Sequence, residues 1–272
     1  MRMNKTEVMV SLGKLYRYLA IFISTLILIL PIVVVVAISF NPSTREAFPP
    51  TGFSFRWYSE FFANEAFFEA FFYTSIPVAL ATAVLATTLG VLSAYAIIKY
   101  DLALENVIQS FLTMPIMVPA VIIGISLLLF FGELSIGNDY VELILGHTIR
   151  VVPYAVLTTL TALYGIDWEI ESAARNLGAN PITSFYKIVL PLMSSGVIAS
   201  FLLTFIISFA DINIALFLSG RQATTIPVEM YNFLQFETSP VIAAISTLQI
   251  LVVLVLVVGI SFLVDLESIF AN

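Results

Sequence analysis

Asp211 is the residue of this sequence whose chemistry is hardest to explain as packing. It lies in an apolar run, Leu192 to Leu218, and a carboxylate in hydrocarbon is costly unless it faces a cavity or a partner. Thr204, Ser208 and Asp211 stand at i, i+4 and i+7, so a helix would place them on one polar stripe. A second stripe, His147, Arg150, Tyr154 and Thr158, runs down another apolar segment. Counted from the ends of their runs, Asp211 lies about seven residues deep, roughly 10 Å, and Arg150 about nine, roughly 14 Å. The depths match, and a paired charge in lipid costs less than two lone ones, so an Arg150–Asp211 contact is expected, direct or through water. Two roles stay open for Asp211: attraction of an ammonium group, or a structural hydrogen bond or ion pair. His147, the only histidine, is assigned to structural bonding, since one histidine with no cysteine makes no metal site. No catalytic residue emerges. The sequence has no HExxH, GxSxG or thiol, and its sole Gly-Lys pair, Gly13-Lys14, lacks the glycine-rich lead of a phosphate loop.

The elements that must hold these residues are set by composition. The chain is 60% hydrophobic and 11% charged, against about 45–50% and about 25% for soluble domains; its mean hydropathy is +1.03. A helix needs about 20 apolar residues to cross the hydrocarbon core, and six runs qualify: Tyr18 to Phe40, Phe68 to Ile98, Val107 to Phe131, Val141 to Tyr164, Leu192 to Leu218 and Pro240 to Val264. The expected fold is an all-α integral membrane protein of six transmembrane helices. Lipid offers the backbone no partners, and the runs lack the alternation of a membrane barrel. The expected parts are an N-terminal segment 1–17, one transmembrane domain 18–264 and a tail 265–272. The first run follows Lys5, Lys14 and Arg17, as a signal peptide would, but it is too long for one and is expected to be retained. The acids, which set the net charge of −7, fall mostly between the runs, which speaks against a nucleic-acid ligand.

Basic residues orient the chain. Arg2, Lys5, Lys14, Arg17, Lys99, Arg175 and Lys187 fall on one side, and Arg45, Arg56 and Arg221 on the other, which puts both termini in the cytoplasm. The largest outer loop, Asn41 to Phe67, carries Trp57 and Tyr58 and is expected to lie at headgroup level. Pro31, Pro77, Pro115, Pro119 and Pro153 fall inside the runs. Simple bending is the first expectation for them. The sharper alternative is that Pro115 and Pro119, four residues apart, break the third helix on one face and open a cavity.

Between the fourth and fifth runs lies a polar stretch, residues 165–191, too polar to span and too rich in helix formers to be slack. Asp167, Glu169 and Glu171 favour a helix start through the macrodipole, while Gly178 and Pro181 mark its end. Ala173, Ala174, Leu177 and Gly178 then share a face of small residues that another protein could approach closely. Ser172-Ala173-Ala174, Gly178 and Ile188-Val189-Leu190-Pro191 resemble the signature of the permeases of binding-protein-dependent ABC importers. That signature has a glutamate where Ser172 stands; Glu171 is displaced from it by one position. The resemblance covers nearly the whole chain and implies a type I importer transmembrane domain, with 165–191 as the coupling loop that seats in a cytoplasmic ATPase. It implies Glu171, Ser172, Ala173, Ala174, Leu177, Gly178, Ile188 and Pro191 as the coupling residues.

Within that family the sequence looks closest to the spermidine/putrescine branch, through Ser39-Phe40-Asn41, Trp57-Tyr58, His147-Thr148 with Pro153, Ser208-Phe209 with Asp211, Phe217-Leu218-Ser219-Gly220 and Ile226-Pro227 with Met230-Tyr231. The implied solute is a polyamine; permeases for opines, aminoethylphosphonate and ferric iron share parts of the pattern. His147, Arg150, Tyr154, Thr204, Ser208 and Asp211 are the candidates for lining the path. The branch usually has an apolar residue where Arg150 stands, and a guanidinium there would repel a polycation or favour an anion. The partners implied are a cytoplasmic ABC ATPase dimer, a second permease subunit expected to be a different chain, an extracytoplasmic solute-binding protein and the lipid bilayer of a prokaryotic plasma membrane. The chain itself is expected to bind no cofactor, with ATP and Mg used by the ATPase partners. A secondary transporter is the rival, but it would show inverted repeats and more intramembrane charge clusters than this sequence has.

Overall fold

The apolar runs fold as helices, and a computed structural model describes residues 5–44, 47–100 and 104–263. The expected tail 265–272, together with Arg2, Arg45 and Val264, lies outside them. All regular structure among the described residues is helical. Among the described residues, four helices are long and apolar enough to cross a membrane, or up to six if each of two bent pairs is one span. The chain divides into two compact units.

One unit takes in the residues up to Asn64 and Glu237–Val252. Helix α1 (Lys5–Ser39) keeps Pro31 inside it. The segment after it is organised by Asn41, whose Oδ1 accepts from Ser43 N, Thr51 N and Thr51 Oγ1, while its carbonyl accepts from Trp57 Nε1 at 2.6 Å. Trp57, in the first turn of a short helix α2 (Arg56–Ala63), is buried, while Phe48, Phe53, Phe55 and Phe62 are exposed.

The other unit, from Glu65 to Phe236 with the chain beyond Val253, holds the candidate site. Helix α3 (Glu65–Lys99) absorbs Pro77 through a wide π-helical turn over Glu69–Ser75, in which Ile76 N reaches back to Phe71 O. Such a turn relieves the clash of a proline ring with the carbonyl four residues earlier. The third expected span is two helices, α4 (Glu105–Met117) and α5 (Ala120–Leu134), meeting at 100°. Simple bending therefore fails here and the sharper alternative holds. A residue before proline is pushed out of the helical region, and Val118 sits at ψ 130°; Pro119 also has no N–H to return to its fourth neighbour back, Pro115.

Helix α6 (Asp139–Tyr164) is continuous, capped at its start by Asn138, and carries Pro153. Helix α7 (Trp168–Asn176) and α8 (Pro181–Leu192) follow, and α8 meets α9 (Ser194–Phe209) at 73°. The fifth run does not stay helical to Leu218: α9 ends at Phe209, and a turn leads into α10 (Ala215–Leu218). Beyond them lie α11 (Ile226–Leu234) and α12 (Val241–Leu263). Helices α3, α6 and α9 pack most extensively on one another. Gly90 is what lets α3 and α6 close up, since a Cβ there would stand 2.6 Å from that of Ala155. Burial of Ala86, Val151 and Ala155 between them confirms the tight approach.

Candidate functional site

Helix α6 carries Arg150, and the turn that follows α9 carries Asp211, so each charge is placed by the same packed core. Arg150 Nε and Asp211 Oδ2 are 2.9 Å apart, with side-chain exposures of 25% and 1%. The N–H does not point along the contact, so the two atoms meet as charges and not through an aligned hydrogen bond. Asp211 stands just past the last turn of α9, not within it. Its Oδ1 accepts from Ile214 N at 2.7 Å and Ala215 N at 3.4 Å, which satisfies the free donors that open α10.

The broken span supplies the space beside this pair. An open cavity of about 440 Å³ is lined by Pro115, Pro119, Ala120, Arg150, Tyr154 and Asn213, among others. Of the six residues expected to line the path, Arg150 and Tyr154 face this cavity. Asp211 is buried behind the guanidinium. His147 Nδ1 and Ser208 Oγ are 2.8 Å apart in the interior, a contact of the structural kind expected of His147. Thr204 is buried too and donates to Ser200 O at 2.7 Å within its own helix. Asn213 was invisible as a site residue, because its place depends on α9 stopping short of it. The signal for the cavity was the spacing of Pro115 and Pro119.

The polar stretch folds as its charges dictate. Asp167 Oδ1 caps α7 by accepting from Glu169 N at 2.9 Å, and Arg175 stands in its last turn. Gly178 ends it at φ 98°, a left-handed value that favours glycine. Asn180 Oδ1 then caps α8 by accepting from Thr183 N at 2.8 Å, with Pro181 at its first position. Ser172, Ala173 and Gly178 are exposed, Ala174 is half-buried and Leu177 is 91% exposed, which leaves a free knob. Ile188 is half-buried and Pro191 exposed on α8, where a second π-helical turn precedes Pro191 as the first precedes Pro77.

Glu171, implied by the resemblance as a coupling residue, is turned inward. It is 1% exposed and pairs with Lys99 Nζ at 2.5 Å, at the end of α3, with Tyr95 Oη 3.5 Å from its other oxygen. Tyr95 also packs on Phe185 of α8 at 4.8 Å, and Lys99 lies over the ring of Trp168 at 5.2 Å. The carboxylate thus fastens α7 to α3, and Tyr95 of α3 in turn packs on α8. Sequence reasoning missed Lys99 and Tyr95 as partners of Glu171, since nothing in the sequence marks a pair seventy-two positions apart.

Comparison with known proteins bears on both sites. Residues 86–266 match the family described as the binding-protein-dependent transport system inner membrane component. The spermidine/putrescine transport system permease protein PotC of Haemophilus influenzae is 32% identical over 231 residues, 85% of this chain and 89% of that protein. The putrescine transport system permease protein PotI of Escherichia coli K12 is 31% identical over 240 residues, 86% and 85% of the two chains. Among solved structures, a bacterial ABC transporter involved in the import of the acidic polysaccharide alginate aligns with a TM-score of 0.66 at 16% identity, over 94% of this chain and 98% of that one. The MetNI methionine ABC transporter aligns with a TM-score of 0.59 at 16% identity, over 72% and 95%.

Proposed function

The chain belongs to the family of binding-protein-dependent transport system inner membrane components, and on that premise we propose that it forms half of the path by which an ATP-driven importer admits a polyamine such as spermidine or putrescine. It is a multi-pass permease subunit with the type I ABC importer transmembrane fold. The observation that carries the importer reading is the free knob of α7, rigidly fastened by Glu171 at its root and bare at Leu177. A helix held that way transmits displacement without deforming. Similarity to the polyamine permeases supports the choice of solute.

In this mechanism a solute-binding protein delivers the polyamine outside. Two cytoplasmic ATPase subunits, using ATP and Mg, close on each other and move α7 of this chain and its counterpart in a second permease. The chain contributes no ATPase site of its own. The surplus of Lys and Arg on the segments flanking α1, α3, α7 and α8 supports cytoplasmic termini and a cytoplasmic α7. The cavity at the α4–α5 break, with Arg150 and Tyr154, lies on the path; α7 and the start of α8 form the contact with the ATPase.

Reconstituting the complete assembly with its binding protein in proteoliposomes tests the reading. ATP-dependent uptake of radiolabelled spermidine or putrescine is expected. Wild-type vesicles that hydrolyse ATP and accumulate neither amine would reject the solute, and an assembly that purifies without an ATPase would reject the importer.

A further inference from the structure

Asp211 uses its two oxygens unequally. Oδ1 is committed to the backbone, tied by Ile214 N and Ala215 N into the turn that starts α10. A ligand could take it only by unravelling that turn. Oδ2 has Arg150 Nε as its ionic neighbour, at 2.9 Å and off the N–H direction, so charge alone and no aligned hydrogen bond secures it. The guanidinium is partly exposed while the carboxylate is not, and Arg150 lines the 440 Å³ cavity. The carboxylate is therefore reached from the cavity through the cation that covers it.

We infer that Arg150 is a resident counter-ion on Asp211 Oδ2, which an ammonium group of the transported polyamine replaces during passage. The inference rests on the polyamine reading above. The incoming ammonium takes Oδ2, and the guanidinium swings into the cavity, where there is room for it. The buried carboxylate keeps one cationic partner before and after the exchange, which avoids the large cost of an unpaired charge in lipid. A compact ammonium head, with three donors, also finds acceptor oxygens on Tyr154 and Asn213, both of which line the cavity. The resident cation weakens solute binding by the fraction of time Oδ2 is covered. Its return displaces the solute, which favours release over retention. A guanidinium in the path of a polycation, otherwise a repulsive misfit, thereby gains a role.

The test is equilibrium binding of radiolabelled spermidine to the complete permease and ATPase assembly in lipid nanodiscs, with the binding protein left out. Arg150→Gln is expected to bind spermidine about tenfold tighter than wild type, since the competitor is gone. Asp211→Asn is expected to bind none. The Arg150→Gln/Asp211→Asn double variant, which restores neutrality, is expected to assemble and still bind none. An intact Arg150→Gln assembly that binds no tighter than wild type, or an Asp211→Asn assembly that binds as wild type does, overturns the exchange. A measurement on the wild type stands apart from any folding defect. Saturating spermidine should raise modification of Arg150 by phenylglyoxal, read by peptide mass spectrometry, and an unchanged or lower level overturns the inference. Failure of the polyamine reading is seen separately, as absent uptake in the wild-type proteoliposomes.

Discussion

Asp211 and Glu171 are both buried carboxylates, and the structure neutralises each with a cation from another helix. Their surroundings predict different outcomes on substitution. Asp211→Ala removes the acceptor for two backbone donors and leaves Arg150 without its counter-charge, a change that costs about 3–5 kcal/mol for a buried pair. Asp211→Asn keeps an oxygen for Ile214 N and Ala215 N, so it should unfold at a clearly higher temperature than Asp211→Ala in a thermal melt of the purified assembly, yet import no polyamine. For Glu171 the expected loss is mechanical. Glu171→Gln gives up the charge that holds Lys99, so uptake should fall several-fold relative to ATP hydrolysed, and exchanging the two charges as Lys99→Glu/Glu171→Lys should recover part of it. Equal uptake per ATP in wild type and Glu171→Gln would show that the clamp transmits nothing. The charges at 150 and 211 were legible because an ion in an apolar run is conspicuous. Glu171 was legible as a helix-start acid, but its partner was not, since pairing at that separation is decided by how α3 and α7 meet.

Among the elements, the proposed function falls on the α4–α5 break and α7. Pro115 and Pro119 turn a single span through 100° and open the cavity at Arg150. Replacing both by alanine removes the cause of the break, and a proline in a helix interior costs about 3 kcal/mol relative to alanine. The double variant is therefore expected to be at least as stable as wild type and to lose uptake, as the straightened helix fills the cavity. Undiminished uptake would take the cavity out of the path. At the other element, Gly178 combines a φ of 98° with open space where a Cβ would stand. Gly178→Leu strains the backbone by about 1–2 kcal/mol and adds bulk to the exposed knob. The expected result is a permease that inserts and folds but no longer co-purifies with an ATPase. The start and stop of α7 were readable from Asp167 and Gly178, because caps and left-handed turns act within a few residues. The two π-helical turns and the early end of α9 were not, because each depends on what packs against the chain at that point.

At the scale of the whole molecule, every functional statement requires α7 to lie in the cytoplasm. The chain has no cysteine, so Asn176→Cys, on the exposed end of α7, gives a single reporter. With the permease produced without its ATPase, it should react with a membrane-impermeant maleimide in inside-out vesicles and not in intact cells; the reverse pattern would rule out docking to a cytoplasmic ATPase. Solvent and lengths were settled at the level of sequence. Sixty per cent apolar residues in six runs leave no alternative to lipid and helices, since hydropathy and backbone hydrogen bonding act locally and sum over each run. The resemblance to importer permeases likewise rested on residues close together in the chain. Which oxygens of Asp211 are spent and which remain, that Glu171 faces inward to Lys99 and not outward to a partner, and that Asn213 reaches the cavity were settled by packing. These depend on contacts between residues tens of positions apart, whose distances follow from how helices cross and where each one stops.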